Sequence, residues 1–105
     1  MKKMVFKLEH ETYGNKYAPN CKVEIMNPEG LVDFLYNTDR IVGSYSNTEF
    51  NGELIFADIT LQRPPSEMAN VDMDKAEFWI RGQILSRNDK GWVNHFRLVG
   101  ITLGV

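Results

Sequence analysis

The sequence has 105 residues, 43% hydrophobic and 25% charged, which is the ordinary composition of one globular domain and excludes a disordered or fibrous chain. Twelve lysines and arginines against fourteen acidic residues give a net charge of -2, which argues against a uniformly basic surface that coats nucleic acid. One cysteine excludes an internal disulfide bond and a zinc site built from several thiolates. We expect residues 1–105 to form a single domain.

Alternation of apolar and polar residues predicts short strands in the amino-terminal part of the chain. The alternation covers Met4–Leu8 and recurs over Cys21–Ile25. Cys21 lies on the apolar side of its strand, which is typical of a small core residue and not of a reactive thiol.

No segment has the pattern of an export signal or a membrane span. Lys7, Glu9 and Glu11 interrupt the apolar residues near the amino terminus, so the apolar middle of a signal peptide is missing. No stretch approaches the roughly 20 apolar residues that cross a bilayer. With a single free thiol, these features predict a cytoplasmic protein that does not contact membranes.

One short helix is predicted over residues 28–37. Asn27 can cap its amino end, and Pro28 suits the first helical position. Leu31 and Leu35 fall on one helical stripe with an aromatic residue between them. The β-branched and aromatic residues of this stretch also permit a strand.

Residues 40–61 favour a further pair of strands, but their turn is ambiguous. Asn51-Gly52 is a strong two-residue hairpin signal because both residues tolerate positive φ. Ser46-Asn47 is a rival turn signal, and the sequence does not distinguish between them.

The clearest pattern is a β-hairpin near the carboxyl end. Residues 75–86 alternate in polarity, and strand character resumes over residues 92–103. Gly91 suits the left-handed position that closes a short loop between them. Counting outwards from that loop in constant register pairs Gly82 with Leu98 and Trp79 with Ile101.

The last strand of this hairpin has the character of an interface. Residues 99–105 contain no charged side chain, and an uncharged edge strand invites pairing with another chain. We therefore predict an interaction surface composed of Trp79, Val99, Ile101 and Leu103. In the alternative interpretation, this strand lies in the middle of the sheet of a monomer.

Nucleic acid is the alternative partner. Aromatic side chains beside cations on strands can stack on the bases of a single strand. The candidates for such contacts are Trp79, Arg81, Arg87, Lys90 and Trp92. The negative net charge disfavours this interpretation, and so does a helix that follows the second strand instead of the third.

No motif for catalysis, metal binding or cofactor binding is found in the sequence. The two histidines, His10 and His95, are far apart in the chain, and no motif marks a nucleophile near either. The acids between residues 67 and 74 do not have the spacing of a calcium loop. We predict no catalytic residue, no metal ligand and no cofactor.

These patterns predict a mainly β fold: an antiparallel sandwich or small barrel of about six or seven strands with one short helix. The alternative is an α+β fold with one helix packed on an antiparallel sheet. The predicted function is that of a non-enzymatic protein-interaction or assembly module, which binds itself or another protein and self-associates through its carboxyl-terminal strand.

Overall fold

The structure, a computed structural model, describes residues 2–8, 14–62 and 75–104. Its strands are β1 (Lys2–Lys7), β2 (Tyr17–Ile25), β3 (Gly30–Phe34), β4 (Asn37–Phe50), β5 (Leu54–Leu61), β6 (Phe78–Arg87) and β7 (Val93–Leu103). The predicted mainly β fold with six or seven strands is confirmed. Within the described ranges there is no α-helix, and no helical segment has the length and apolar character needed to span a bilayer.

The prediction of a helix over residues 28–37, and with it the α+β alternative, is wrong. Residues 30–34 form β3, and the pairing of Phe34 with Asn37 closes a tight turn into β4. Val32 and Phe34 point into the core, whereas Leu31 is exposed. Because β3 pairs with β4 on one edge and with β7 on the other, tertiary hydrogen bonds override the weak local preference for a helix.

The seven strands form one mixed sheet and not an antiparallel one. Its order is β1-β5-β4-β3-β7-β2, and β6 pairs with the other edge of β7. Strand β7 runs parallel to both β2 and β3, which follow each other along the same edge of β7. The other four strand pairings are antiparallel.

The sheet curls around one hydrophobic core without closing into a barrel, so neither the predicted sandwich nor a complete barrel is found. Phe6 of β1 stacks on Phe96 of β7 with ring centroids 5.5 Å apart. The Tyr17 ring meets Phe6 at 5.1 Å and Phe96 at 5.7 Å, in both cases edge to face. These contacts join the two ends of the strand order through the core.

The hairpin of β6 and β7 is confirmed, and its predicted register holds at Arg87 and from Ile84 to Gly82, but not at Ser86, which pairs with His95. Gly82 pairs with Leu98 as predicted. The register then shifts by one residue, so Trp79 pairs with Thr102 and not with Ile101. The shift is a β-bulge at Val99 of β7.

Both turn signals between residues 40 and 61 are used, in different ways. The chain reverses after Asn51, whose Oδ1 accepts a hydrogen bond from Leu54 N at 2.8 Å, and Gly52 has a φ of +99°. Asn47, with a φ of +51°, lies in a β-bulge inside β4, where its Nδ2 donates to Asp58 Oδ2 at 2.9 Å. The rival turn is therefore a bulge.

Candidate functional site

Four large apolar side chains are exposed together on the hairpin of β3 and β4. Leu31 is 64% exposed, Leu35 45%, Ile41 42% and Tyr36 39%. They are four of the eight large hydrophobic side chains that are exposed in the described part of the chain. We call Leu31, Leu35, Tyr36 and Ile41 the hairpin patch. Exposed apolar side chains gathered in this way mark interaction surfaces.

The hairpin patch is carried by a strained turn. Leu35 has a φ of +51° and Tyr36 a φ of +60°, a left-handed conformation that costs a non-glycine residue about 1–2 kcal/mol. Leu35 N donates to Leu103 O at 3.0 Å, and Tyr36 N donates to Thr102 Oγ1 at 2.9 Å. These two hydrogen bonds to β7 hold the turn in place.

A buried carboxylate lies beneath the hairpin patch. The side chain of Asp33 is only 3% exposed, and it accepts hydrogen bonds from Arg81 Nη1 and from the hydroxyl of Thr102. The same Thr102 oxygen accepts from Tyr36 N, so the turn, the carboxylate and β7 form one network. The buried negative charge of Asp33 is therefore neutralised by the positive charge of Arg81.

The Tyr36 ring connects the hairpin patch to β6. The Tyr36 ring stacks on the Trp79 ring with centroids 6.1 Å apart, and Arg81 Cζ lies 5.5 Å from the centroid of the Tyr36 ring. Its hydroxyl donates to Ile80 O at 3.0 Å. We call Asp33, Tyr36, Trp79, Arg81 and Thr102 the Asp33 clamp.

The residues predicted for self-association are mostly inside the molecule. Ile101 is 1% exposed and Leu103 0%, because β7 lies between β6 on one side and β2 and β3 on the other. This placement corresponds to the alternative in which the last strand lies in the middle of the sheet. Val99 is half-buried at the bulge, and Trp79, half-buried in the Asp33 clamp, borders the hairpin patch through its stack on Tyr36.

The five residues predicted to contact nucleic acid fall into two groups. Trp79 and Arg81 belong to the Asp33 clamp, where Arg81 is already paired. Arg87, Lys90 and Trp92 lie at the opposite end of the hairpin, around its loop. Arg81 and Arg87 are six residue steps apart, which is about 20 Å along β6. The five side chains therefore do not form one surface.

A second polar cluster crosses β2, β7 and β6. His95 Nε2 lies 3.0 Å from Glu24 Oε1, although this contact lacks the alignment of a full hydrogen bond, and Arg97 Nε lies 3.3 Å from Glu24 Oε2. The Arg97 guanidinium also reaches Gln83 Oε1 at 3.5 Å. His95, and secondarily Arg97, lowers the pKa of the Glu24 carboxyl, although partial desolvation opposes the effect.

We expect Glu24 to make the fold more sensitive to acid. A carboxyl whose pKa is lowered by folding stabilises the folded state above its ordinary pKa, and this stability is lost as the pH falls through the lowered value. Urea denaturation between about pH 6 and pH 3 should therefore show a steeper loss of unfolding free energy for the wild type than for Glu24→Gln. Parallel pH profiles of the two proteins would contradict this role of the carboxyl.

The other chemistry-bearing groups are not gathered into a site. Cys21 is buried, and burial raises the pKa of its thiol, which suppresses the reactive thiolate. In the ranges that the structure describes, no group of three or more histidine, cysteine or acidic side chains is arranged to hold a metal ion. His10 and the acids between residues 67 and 74 lie outside these ranges.

The sequence interpretation missed the hairpin patch because it assigned the stretch to a helix. That interpretation puts Leu31 and Leu35 on one stripe facing the core, whereas both are exposed. No alternation in polarity marked the strand, because Asp33 is buried together with Val32 and Phe34, and the exposed positions Leu31 and Leu35 are apolar.

In comparisons with protein-family models, curated proteins and solved structures, no match to this chain was found.

Proposed function

We propose that this protein is a non-enzymatic interaction module that self-associates through the hairpin patch. The observation that carries the proposal is the exposure of four large apolar side chains on one short hairpin. The proposal keeps the self-association expected from the sequence and moves it from the carboxyl-terminal strand to β3 and β4. Because the thiol of Cys21 is free, we also keep the cytoplasm as the proposed location.

The sheet edges are less suited to association than the hairpin patch. Among the described residues, β1 pairs only with β5, and β2 and β6 pair only with β7, so each has one edge without a strand partner. Strand β1 carries Lys2, Lys3 and Lys7, β2 carries Lys22, and β6 has a bulge at Leu85. Lysines and bulges on edge strands both discourage pairing with another chain. The hairpin patch lies on a face of the sheet and not on an edge, so this protection does not apply to its exposed side chains.

The polarity of the hairpin patch favours a second copy as the partner. Its four exposed side chains are apolar and uncharged. A two-fold axis through the patch brings the same surface of both copies together, so the apolar side chains of each copy cover those of the other. Such a surface is complementary to itself in polarity.

Leu31→Lys tests this proposal. We expect the wild type to behave as a dimer by light scattering, and the variant to dissociate at least about tenfold more readily, because burying one leucine contributes roughly 1.5–3 kcal/mol. Leu85→Lys is the matched control, since Leu85 is 37% exposed on β6, outside the patch. A monomeric wild type at about 100 μM, or equal weakening by both substitutions, would rule out the hairpin patch as the self-association surface.

A further inference from the structure

The start of β2 and the β6–β7 loop meet at one end of the molecule, far from the hairpin patch. Val93 N donates to Lys16 O at 2.8 Å, and Arg87 Nη2 donates to Asn15 Oδ1 at 2.7 Å. Ten residues of β7 separate this end from the β3–β4 turn, about 33 Å of strand. We call Lys16, Arg87, Lys90 and Trp92 the basic end.

The basic end carries an excess of positive charge, because its three cations are accompanied in the β6–β7 loop by a single acid, Asp89. None of the ion pairs between described residues includes Lys16, Arg87 or Lys90. The Arg87 guanidinium donates only to neutral oxygens, those of Asn15 and of the Gly91 carbonyl. Arg81 and Arg97, by contrast, are paired with carboxylates. The negative net charge of the chain therefore conceals a cationic end.

The Trp92 indole lies beside one of these cations. Lys90 Nζ lies 5.4 Å from the Trp92 ring centroid, and Asn88 Oδ1 accepts hydrogen bonds from Lys90 N and Trp92 N, both at 3.0 Å. A surface depression of about 390 Å³ lies beside the ring, and β2 contributes Pro19 and Asn20 to its wall. The loop thus holds one aromatic ring next to an open space that a second planar group can enter.

We infer that the basic end binds single-stranded nucleic acid, with one base stacked beside Trp92 and the phosphates held by Lys16, Arg87 and Lys90. A single strand supplies both chemistries at once, because its bases are unpaired and its backbone is anionic. The bases of a duplex are stacked on one another and do not reach an indole. This site is independent of self-association, since it shares no residue with the hairpin patch.

Titration with a fluorescein-labelled 12-nucleotide oligothymidylate tests the inference. In Trp79→Phe protein, Trp92 is the only remaining indole, so its quenching reports directly on the basic end. Three cations predict a slope of about -2 for log binding constant against log salt concentration, at roughly 0.7 per phosphate contact. Lys90→Gln should reduce that slope by about 0.7 and weaken binding, whereas Lys2→Gln on β1 should change neither.

Trp92→Ala, followed by anisotropy of the labelled oligonucleotide, should weaken binding about tenfold at constant salt. No quenching and no anisotropy change at about 50 mM salt would overturn the inference. So would equal affinity of the wild type and Lys90→Gln, which would place the oligonucleotide elsewhere. Displacement of the oligonucleotide by an equal charge concentration of polyglutamate would assign the basic end to acidic peptides instead.

Discussion

Gly43→Ala is expected to reduce the free energy of unfolding by about 3 kcal/mol, a large fraction of the stability of a small domain. An ideal Cβ at Gly43 would lie 2.1 Å from Thr60 O and 3.0 Å from Leu61 Cα. Both atoms are backbone atoms of β5, and Gly43 pairs directly with Leu61, so no side chain can rotate away. The strands β4 and β5 must separate locally to admit the methyl group.

Gly100→Ala provides the control for this substitution. Gly100 also lies in a paired strand, but its Cβ would meet no atom within 4 Å. We expect a change within about 0.5 kcal/mol. Urea denaturation followed by circular dichroism measures both variants, and equal stability of the two would show that β4 and β5 yield more easily than their spacing implies.

Asp33→Ala is the second substitution with a large expected effect, about 3 kcal/mol. It leaves the Arg81 guanidinium without its carboxylate partner and removes the carboxylate that the buried Thr102 hydroxyl bonds. Thr102 in turn accepts the hydrogen bond of Tyr36 N, so the strained turn loses part of its support. The substitution is therefore expected to loosen the hairpin patch as well as to destabilise the fold.

Asp39→Ala is the matched control for Asp33→Ala, because Asp39 is an exposed acid on the same hairpin. A change within about 0.5 kcal/mol is expected for it. A double-mutant cycle with Arg81→Met measures the coupling directly, since the second substitution should cost much less once Asp33 is gone. Additive effects of the two substitutions would show that the carboxylate acts independently of Arg81.

The carboxyl-terminal hairpin was the most predictable element, because its signals are local. Gly91 adopts a φ of +80° in the loop, and the pairing of Gly82 with Leu98 follows by counting. The bulge at Val99 was not predictable in this way. Beyond this bulge, from Ile101 onwards, β7 also pairs with β3. Because β3 is distant in sequence, its pairing with β7 leaves no periodic signal in the hairpin itself.

The turn of the hairpin patch shows why the helix prediction failed. Two-residue turns with positive φ are normally recognised by glycine or asparagine, and here Leu35 and Tyr36 occupy them. Long-range hydrogen bonds to Thr102 and Leu103 stabilise the turn, and no local pattern encodes them. Strain of this kind persists only where the surrounding structure enforces it.

The residues of the basic end were predictable only where they are close to one another in sequence. Arg87, Lys90 and Trp92 of the basic end are close in sequence, so they were among the predicted contacts for nucleic acid. Lys16 was not, because the parallel pairing of β2 with β7 brings it there from the other end of the chain.

The position of β7 in the sheet has a consequence for the order of folding. Strand β7 follows all of its partners in the chain, and among the described residues it is the only strand that pairs with β2. During synthesis, β3, β4, β5 and β1 can form their antiparallel ladder while β2 waits for a strand not yet translated. Contacts as distant in sequence as that of Lys22 with His95 form late and slowly. We therefore expect the nascent protein to expose the core residues that β7 covers until β7 leaves the ribosome.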